Sequence, residues 1–198
     1  HPRAENACVE LVRRLASSVD IPVSVLVSPT LVQEPEAFFR RLKEAGADWV
    51  GVAVDAATPE LVANMRGMAV GGPHRWGKYW SALESAVRVF GRDHVSVHFI
   101  VGLGETEQEM VHVIARARNC GAQAHLFSFC PEPGSALADR LPPSNGHYRR
   151  IQLAAYLMNN GQIKEDAVQF DNGRIAGFGQ SLQELMDEDL AEGKPFMT

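Results

Sequence analysis

The stretch Val95-Ser96-Val97-His98-Phe99-Ile100-Val101-Gly102-Leu103-Gly104-Glu105 decides the fold of this chain. Its first half is an apolar run rich in β-branched residues, which is typical of a buried strand in a parallel sheet. The run passes through two glycines straight into a helical pattern. Thr106 stands where a helix N-cap belongs, and Glu109 three residues later completes a capping box. The stretch therefore predicts a parallel strand whose carboxyl end opens into a helix.

A ligand is expected at this junction. In α/β sheets and barrels, ligands bind at the carboxyl ends of strands, where glycines let the backbone approach closely and helix N-termini offer free N–H groups. Gly102 and Gly104 occupy such a place. We expect the ligand near residues 98–105. An ordinary strand-to-helix turn without a ligand is the alternative, because two glycines alone are a weak signal.

The rest of the chain repeats the same strand-then-helix pattern. Four strands separated by helices imply parallel, right-handed βαβ units and an α/β fold, either an open doubly wound sheet or part of a β/α barrel. The predicted strands are 23–27, 49–54, 95–101 and 124–129. We expect a partial barrel over residues 1–140.

The last quarter of the chain changes character. It predicts a helix over 147–160, then a hairpin over 168–178 around Asp171-Asn172-Gly173, and a closing helix that begins at Ser181. We expect residues 141–198 to form an extension of helix, hairpin and helix that packs on the barrel.

Composition excludes several classes of function. The 198 residues carry a net charge of −5, with no basic cluster interleaved with aromatics, so nucleic acid is an unsuitable partner. No run of eighteen apolar residues predicts a membrane span. The three cysteines lie far apart, which fits neither a zinc site nor a disulfide framework and favours the cytoplasm. With no initiator Met, the chain is expected to be a portion of a longer protein.

The predicted strand ends form a rim that lacks the residue patterns of hydrolytic enzymes. Its members are Ser28, Asp55, residues 98–104 and residues 127–134. The sequence holds no nucleophile elbow, HExxH motif or Walker loop. A cofactor-free lyase would need a metal or a lysine at a strand end, and none is evident. Chemistry at this rim is therefore expected to come from a cofactor.

Three segments, Val54–Glu60, Ile100–Glu105 and Pro133–Leu137, resemble in order and spacing the radical S-adenosylmethionine (radical SAM) enzymes of the biotin synthase and lipoyl synthase-like group. The resemblance covers about residues 20–140. The pattern His98-x-Ile100-x-Gly102-x-x-Glu105 corresponds to the family element GxIxGxxE, with His98 in place of the first glycine. Residues 73–76 and 79–80 also resemble a subgroup associated with two-component lipoyl synthases.

This resemblance implies a radical SAM-type barrel that holds S-adenosylmethionine and a [4Fe-4S] cluster. Reductive cleavage would give a 5′-deoxyadenosyl radical that abstracts hydrogen from the substrate, with sulfur insertion into an aliphatic chain as a further expectation. The implied partners are a small-molecule or carrier-bound acyl substrate, a reductant protein such as ferredoxin or flavodoxin, and a second synthase component. The alternative is a non-catalytic β/α-barrel protein with a binding or assembly role.

The resemblance also implies roles for individual residues. Cofactor contacts are expected from Arg75, Lys78, His98, Ile100, Val101, Gly102, Glu105, Phe127 and Phe129, and substrate contacts from Ser28 and Asp55. Ile100 and Val101 would pack on the adenine and ribose, and the backbone of 127–129 would close the adenine site. Arg75 or Lys78 would meet the methionyl carboxylate, which a guanidinium binds well.

Two family features are missing from the sequence. The CxxxCxxC loop for the cluster and the glycine-rich element for the methionyl amine are both absent, and we expect them before His1. No metal ligand is therefore assigned, and the 198-residue chain alone is expected to be inactive. Ser96 stands where biotin synthase has a cysteine, which disfavours biotin synthase itself.

Simpler roles remain open for four of these residues. His98 would serve as a hydrogen-bonded core histidine, and Glu105 would shape its turn and satisfy helix N–H groups. Asp55 would cap the helix that follows Thr58. Arg75 would pair with a surface acid.

Overall fold

The computed structural model describes residues 2–179 and 188–197. One parallel sheet contains β1 (Ser24–Val27), β2 (Trp49–Asp55), β3 (Val95–Val101) and β4 (Gln123–Ser128), in the order β1-β2-β3-β4. The expected parallel α/β fold is confirmed. Each strand pairs with the next one in the chain, which is the order of a barrel segment, whereas a doubly wound sheet reverses its order.

Helices follow the strands as the capping signals predict. They are α1 (Pro2–Ala16), α2 (Pro35–Glu44), α3 (Pro59–Met65), α4 (Trp76–Phe90), α5 (Glu107–Cys120), α6 (Asn145–Asn159) and α7 (Glu188–Ala191). The capping box of α5 is present, with Thr106 accepting from the N–H of Glu109 at 3.1 Å. Across the described ranges, no helix is long and apolar enough to cross a bilayer.

The two faces of the sheet differ in how far other elements bury them. Alternate residues of β2 and β3, such as Val52 and Phe99, are fully buried in the main core beneath the helices. The other face, here called the inner face, carries Leu26, Gly51, Ala53, Ser96, His98, Ile100, His125 and Phe127, as the strand pairing shows. Leu26 is 56% exposed and Phe127 is 49% exposed. The inner face is therefore open near its edges.

The turn after β3 is built by two glycines and one carboxylate. Gly102 has φ 105° and Gly104 has φ 123°, conformations that L side chains rarely adopt. The Glu105 carboxylate is buried and accepts hydrogen bonds from the N–H groups of Gly102 (2.6 Å) and Leu103 (3.0 Å). Glu105 thus shapes the turn that carries the chain from β3 into α5.

The predicted hairpin forms from β5 (Gln169–Asp171) and β6 (Arg174–Gly177). Asn172 and Gly173 both have positive φ, as a two-residue hairpin turn requires. The closing helix predicted from Ser181 falls partly on residues 181–187, which lie outside the described residues; α7 follows them.

The free edge of β4 is covered by α6. The Asn159 side chain accepts from the N–H of Ala124 (3.1 Å) and donates to the carbonyl of the same residue (2.8 Å). Tyr148 donates to the carbonyl of Leu126 (3.3 Å). Side chains of α6 therefore occupy backbone groups that a further strand would use.

A buried carboxylate joins the hairpin to α5 and α6. Glu107 is 3% exposed and accepts from both Nε and an Nη of Arg150, at 3.0 and 2.5 Å, and from the N–H of Ile175 at 2.8 Å. Burial opposes ionisation of Glu107, but the bonds from Arg150 and Ile175 outweigh it and hold its pKa below the ordinary value. The ionised carboxylate thus links the C-terminal elements to the sheet's helical layer.

Glu107→Gln should destabilise the fold by about 1–3 kcal/mol at neutral pH, because it removes the charge that the partly buried Arg150 pairs with. Since the folded-state pKa is depressed, this loss should be constant above the ordinary glutamate pKa of about 4.3 and shrink as the pH falls below it. Urea unfolding of both proteins at several pH values measures the difference. Glu36→Gln, which breaks exposed pairs with Arg40 and Arg88, is the control and should cost no more than about 1 kcal/mol. Equal losses for the two variants would contradict the assigned role.

Gly102→Ala should cost about 1–3 kcal/mol, because alanine is strained at this φ and its Cβ would lie 2.7 Å from Cδ of Pro143. Gly134→Ala is the matched control: Gly134 also has positive φ (81°), but no atom lies within 4 Å of a Cβ placed there. The difference between the two variants in thermal unfolding isolates the steric part. A loss at Gly134 as large as at Gly102 would show that close packing of the turn is unimportant.

Candidate functional site

A cavity of about 740 Å³ opens on the inner face at the carboxyl ends of the strands. This volume is within the usual range of small-molecule sites. Its lining comes from the strands, from α3 and from the loops after α3 and β4: Leu26, Ala53, Asp55, Ala56, Val62, Asn64, Met65, Arg66, Val70, His98, Ile100, Leu103, Phe127, Ser128, Phe129, Cys130, Ala136 and Leu137. Most of these side chains are apolar, so the cavity wall is mainly hydrophobic and carries a few polar groups.

Strand register arranges the inner-face side chains of the cavity in two layers. Ile100 pairs with Phe127 near the carboxyl ends. Two residues earlier, His98 pairs with Ala53 on one side and with His125 on the other. The first pair is here called the rim layer, and the residues around His98 form the floor layer.

Asp55 stands at the end of β2 in an unusual backbone conformation. Its φ is 68°, and the pairing of β2 with β3 shifts at this point from Ala53 to Asp55. This irregularity lets the last residue of β2 line the cavity. The alternative of Asp55 as the cap of α3 is wrong, because Thr58 caps that helix by accepting from the N–H of Leu61 at 3.2 Å.

Arg66 is the partner of Asp55, and sequence reasoning missed it. Its guanidinium forms an ion pair with the Asp55 carboxylate and donates to the carbonyls of Ala53 (2.7 Å) and Val54 (2.6 Å). The signal available in the sequence was its place just before the glycine-rich loop 67–75. Arg66 thus fixes that loop to the end of β2 and neutralises the carboxylate inside the cavity.

A hydroxyl network anchors the other end of the glycine-rich loop. The fully buried Tyr79 on α4 places its hydroxyl 3.0 Å from Ser28 Oγ, 2.9 Å from Thr30 Oγ1 and 2.5 Å from His74 Nδ1. The Arg66 guanidinium lies 4.9 Å from the centre of the Tyr79 ring. Burial, and next the charge of Arg66, lower the pKa of His74. Neutral His74 is therefore the form that joins this network.

His98 is the titratable ring on the floor of the cavity. Its ring centre lies 5.6 Å from that of His125, at an interplanar angle of 28°, and 5.1 Å from that of Phe127. Burial lowers the pKa of His98, the neighbouring His125 lowers it further, and Asp55 opposes them. Partial loss of hydration lowers the pKa of His125 as well. Both rings are therefore neutral near pH 7.

The structure brings together five of the expected site residues. Asp55, His98, Ile100, Phe127 and Phe129 all line the cavity. Phe129 is held beside β3 by its N–H, which donates to the carbonyl of Val101 at 2.8 Å.

Other expected residues lie away from the cavity wall. Arg75 is exposed and donates hydrogen bonds to the carbonyls of Gly72 and His74. Its guanidinium therefore contacts backbone carbonyls, where the alternative had predicted an ion pair with a surface acid. Lys78 is exposed on α4. Ser28 is hydrogen-bonded to Tyr79 and does not line the cavity.

The Val101 side chain is fully buried in the main core. Because consecutive strand residues point to opposite faces of the sheet, the expected contact of this side chain with a ligand is wrong. Gly102 and Glu105 form the supporting turn.

The cysteines do not assemble a cluster site. Cys8 lies on α1, Cys120 at the end of α5, and Cys130 at the cavity. In the parts of the chain that the structure describes, no three His, Cys, Asp or Glu side chains are grouped to hold a metal ion. The cysteines of the described residues therefore do not fit an iron–sulfur cluster.

Comparisons with known proteins place the chain in a family. No curated protein matches it. Among solved structures, a mutant of morphinone reductase in complex with tetrahydroNAD is similar, with 21% identity and a TM-score of 0.40, over 65% of this chain and 35% of the reductase chain. Nothing about function follows from a likeness at this level. The family model of the radical SAM superfamily matches residues 1–117, which is more than half of the chain. The chain therefore belongs to the radical SAM superfamily.

Proposed function

We propose that the cavity binds the adenosyl portion of S-adenosylmethionine. The observation that carries this proposal is the rim layer of Ile100 and Phe127, which together with Phe129 gives the cavity an apolar and aromatic edge, while the Asp55 carboxylate lines the same cavity. An adenine has flat apolar faces that aromatic side chains accept, and ribose hydroxyls are hydrogen-bond donors that a carboxylate accepts. Family membership supports the same ligand.

The residues present suit the uncharged part of this cofactor. Ile100, Phe127 and Phe129 would pack against the adenine and exclude water from it, and Asp55 would hold the ribose through its hydroxyls. Arg66 pairs with Asp55 and donates to two β2 carbonyls, so it would orient the Asp55 carboxylate. Arg75 and Lys78 are the proposed partners of the methionyl carboxylate; both are exposed cations near the start of α4.

S-adenosylmethionine, when bound and given one electron, supplies a carbon-centred radical able to take hydrogen from a substrate. We propose that the whole protein does so with a [4Fe-4S] cluster held outside the described residues, in the manner of the biotin and lipoyl synthase-like group, with sulfur insertion as the reaction. The proposed partners are a small-molecule or carrier-bound acyl substrate, a ferredoxin- or flavodoxin-like reductant, and a second synthase component.

Phe127→Ala should weaken the binding of S-adenosylhomocysteine to the 198-residue chain by roughly tenfold, as expected from the loss of about 1–3 kcal/mol of stacking on a base. Isothermal titration calorimetry measures the dissociation constants. Leu141→Ala is the matched control, because Leu141 is an apolar residue that is 84% exposed and does not line the cavity. Absence of binding to the wild-type chain, or equal weakening in both variants, would count against the adenosyl site.

The catalytic part of the proposal needs a separate measurement. A longer form of the protein that includes a cluster-binding segment should release 5′-deoxyadenosine from S-adenosylmethionine after anaerobic reconstitution with iron and sulfide and addition of dithionite. Asp55→Asn in that form should lower the release several-fold, because the amide is a weaker acceptor for a hydroxyl than the carboxylate. A reconstituted protein that binds the cofactor without cleaving it would instead indicate a non-catalytic barrel.

A further inference from the structure

A second cavity, here called the outer cavity, lies between the starts of α3 and α4, the exposed side of α5 and the segment that leads into the hairpin. Its volume is about 650 Å³, which is within the usual range of small-molecule sites. Its described lining residues are all different from those of the cavity at the strand ends. The proposed adenosyl site therefore leaves the outer cavity without an assigned ligand.

Arg116 presents an oriented guanidinium in the wall of the outer cavity. Its Cζ atom lies 4.0 Å from the centre of the Trp80 ring and 5.8 Å from that of Trp76. Among the described residues, none accepts a hydrogen bond from this guanidinium or forms an ion pair with it. A guanidinium that is already stacked on aromatic rings loses little freedom when it binds, and its paired N–H groups match a carboxylate. Arg116 is therefore suited to bind a carboxylate from outside the chain.

Three carboxylates also line the outer cavity, and one of them is unpaired. Glu109 accepts from the N–H and the hydroxyl of Thr106, at 2.7 and 3.0 Å. Glu165 Oε1 lies 2.7 Å from Nδ1 of His112. Glu60, in the first turn of α3, forms no hydrogen bond or ion pair with other described residues. Because acids outnumber the arginine in this wall, a simple anion would be repelled, whereas a ligand that carries an ammonium beside its carboxylate would be attracted.

Apolar side chains form the rest of the wall. Trp76 at the start of α4 and Phe170 in β5 are both partly buried, and both line the outer cavity. Val113 on α5 adds an aliphatic surface beside them. Aromatic rings attract one another in offset or edge-to-face arrangements by more than the area they bury. A ligand with an aromatic ring would therefore gain more from this wall than a wholly polar one.

We propose that the outer cavity binds an aromatic amino acid in its zwitterionic form. The carboxylate of the ligand pairs with Arg116, its ammonium pairs with Glu60, and its ring contacts Trp76 and Phe170. Each part of the ligand thus meets a group that the chain leaves available: an unpaired cation, an unpaired anion and two aromatic walls. The proposal is independent of the adenosyl site, because it uses none of the residues assigned to that site.

The test uses three probes that share one phenyl ring. They are phenylalanine, 3-phenylpropionate, which lacks the ammonium, and 2-phenylethylamine, which lacks the carboxylate. Isothermal titration calorimetry on the 198-residue chain at pH 7.5 measures each dissociation constant. Phenylalanine should bind at least about fivefold more tightly than either analogue, because it alone satisfies both unpaired charges of the cavity.

Two variants assign the two charges separately. Arg116→Gln should reduce the preference for phenylalanine over phenylethylamine to less than about twofold, because the carboxylate then has no cation to pair with. Glu60→Gln should do the same to the preference over phenylpropionate. Arg88→Gln removes an exposed arginine of α4 that does not line the cavity; it is the control and should change neither preference.

Three results would overturn the proposal: no binding of phenylalanine, equal binding of the three probes, or an unchanged preference in a folded Arg116→Gln variant. If that variant does not fold, Arg116→Lys replaces it; lysine keeps the charge but lacks the paired N–H groups, so the preference over phenylethylamine should still fall. Saturating S-adenosylhomocysteine should leave phenylalanine binding unchanged. Competition between the two would place phenylalanine in the strand-end cavity and refute the outer site, whereas absence of S-adenosylhomocysteine binding alone would refute only the adenosyl site.

Discussion

The two-residue alternation of the strands is the constraint on which the whole site depends. In β3 it sends Val97, Phe99 and Val101 into the core beneath the helices and leaves Ser96, His98 and Ile100 on the inner face. A shift by one residue would exchange these two sets, burying an imidazole among aliphatic side chains and exposing three large apolar groups. The helical layer therefore fixes the register, and the register fixes which side chains a ligand can meet.

Polar anchors then turn this sheet edge into a cavity. Arg66 binds the end of β2 from the loop side, and Tyr79 binds the same loop through His74. Each anchor satisfies buried polar groups that would otherwise be left unpaired, so the loop 67–75 has a defined place despite its glycines. The resulting wall is neutral as a whole, because Asp55 and Arg66 cancel and the histidines are uncharged. This combination suits ligands with flat or aliphatic bodies.

The sequence predicted the elements that depend on local signals. The four strands, the capping box at Thr106 and the Asn172-Gly173 hairpin follow from periodicity and turn chemistry, which are properties of neighbouring residues. Asp55, His98 and Ile100 were found by the rule that strand ends share a rim. Arg66 was not, because its contact with Asp55 depends on how α3 folds back over the end of β2, which no local pattern specifies. The expected ligand contact of Val101 was wrong because it was assigned together with its neighbour Ile100, whereas consecutive residues of a strand point to opposite faces of the sheet.

The Asn159 side chain, which is hydrogen-bonded to both the N–H and the carbonyl of Ala124, protects the sheet edge against association with other molecules. An unprotected outer strand invites the strands of other molecules to extend the sheet, which is a route to aggregation. Here the Asn159 amide makes the two hydrogen bonds that a neighbouring strand would make, and it closes that route near the start of β4. A single neutral side chain therefore protects this part of the sheet edge through hydrogen bonds.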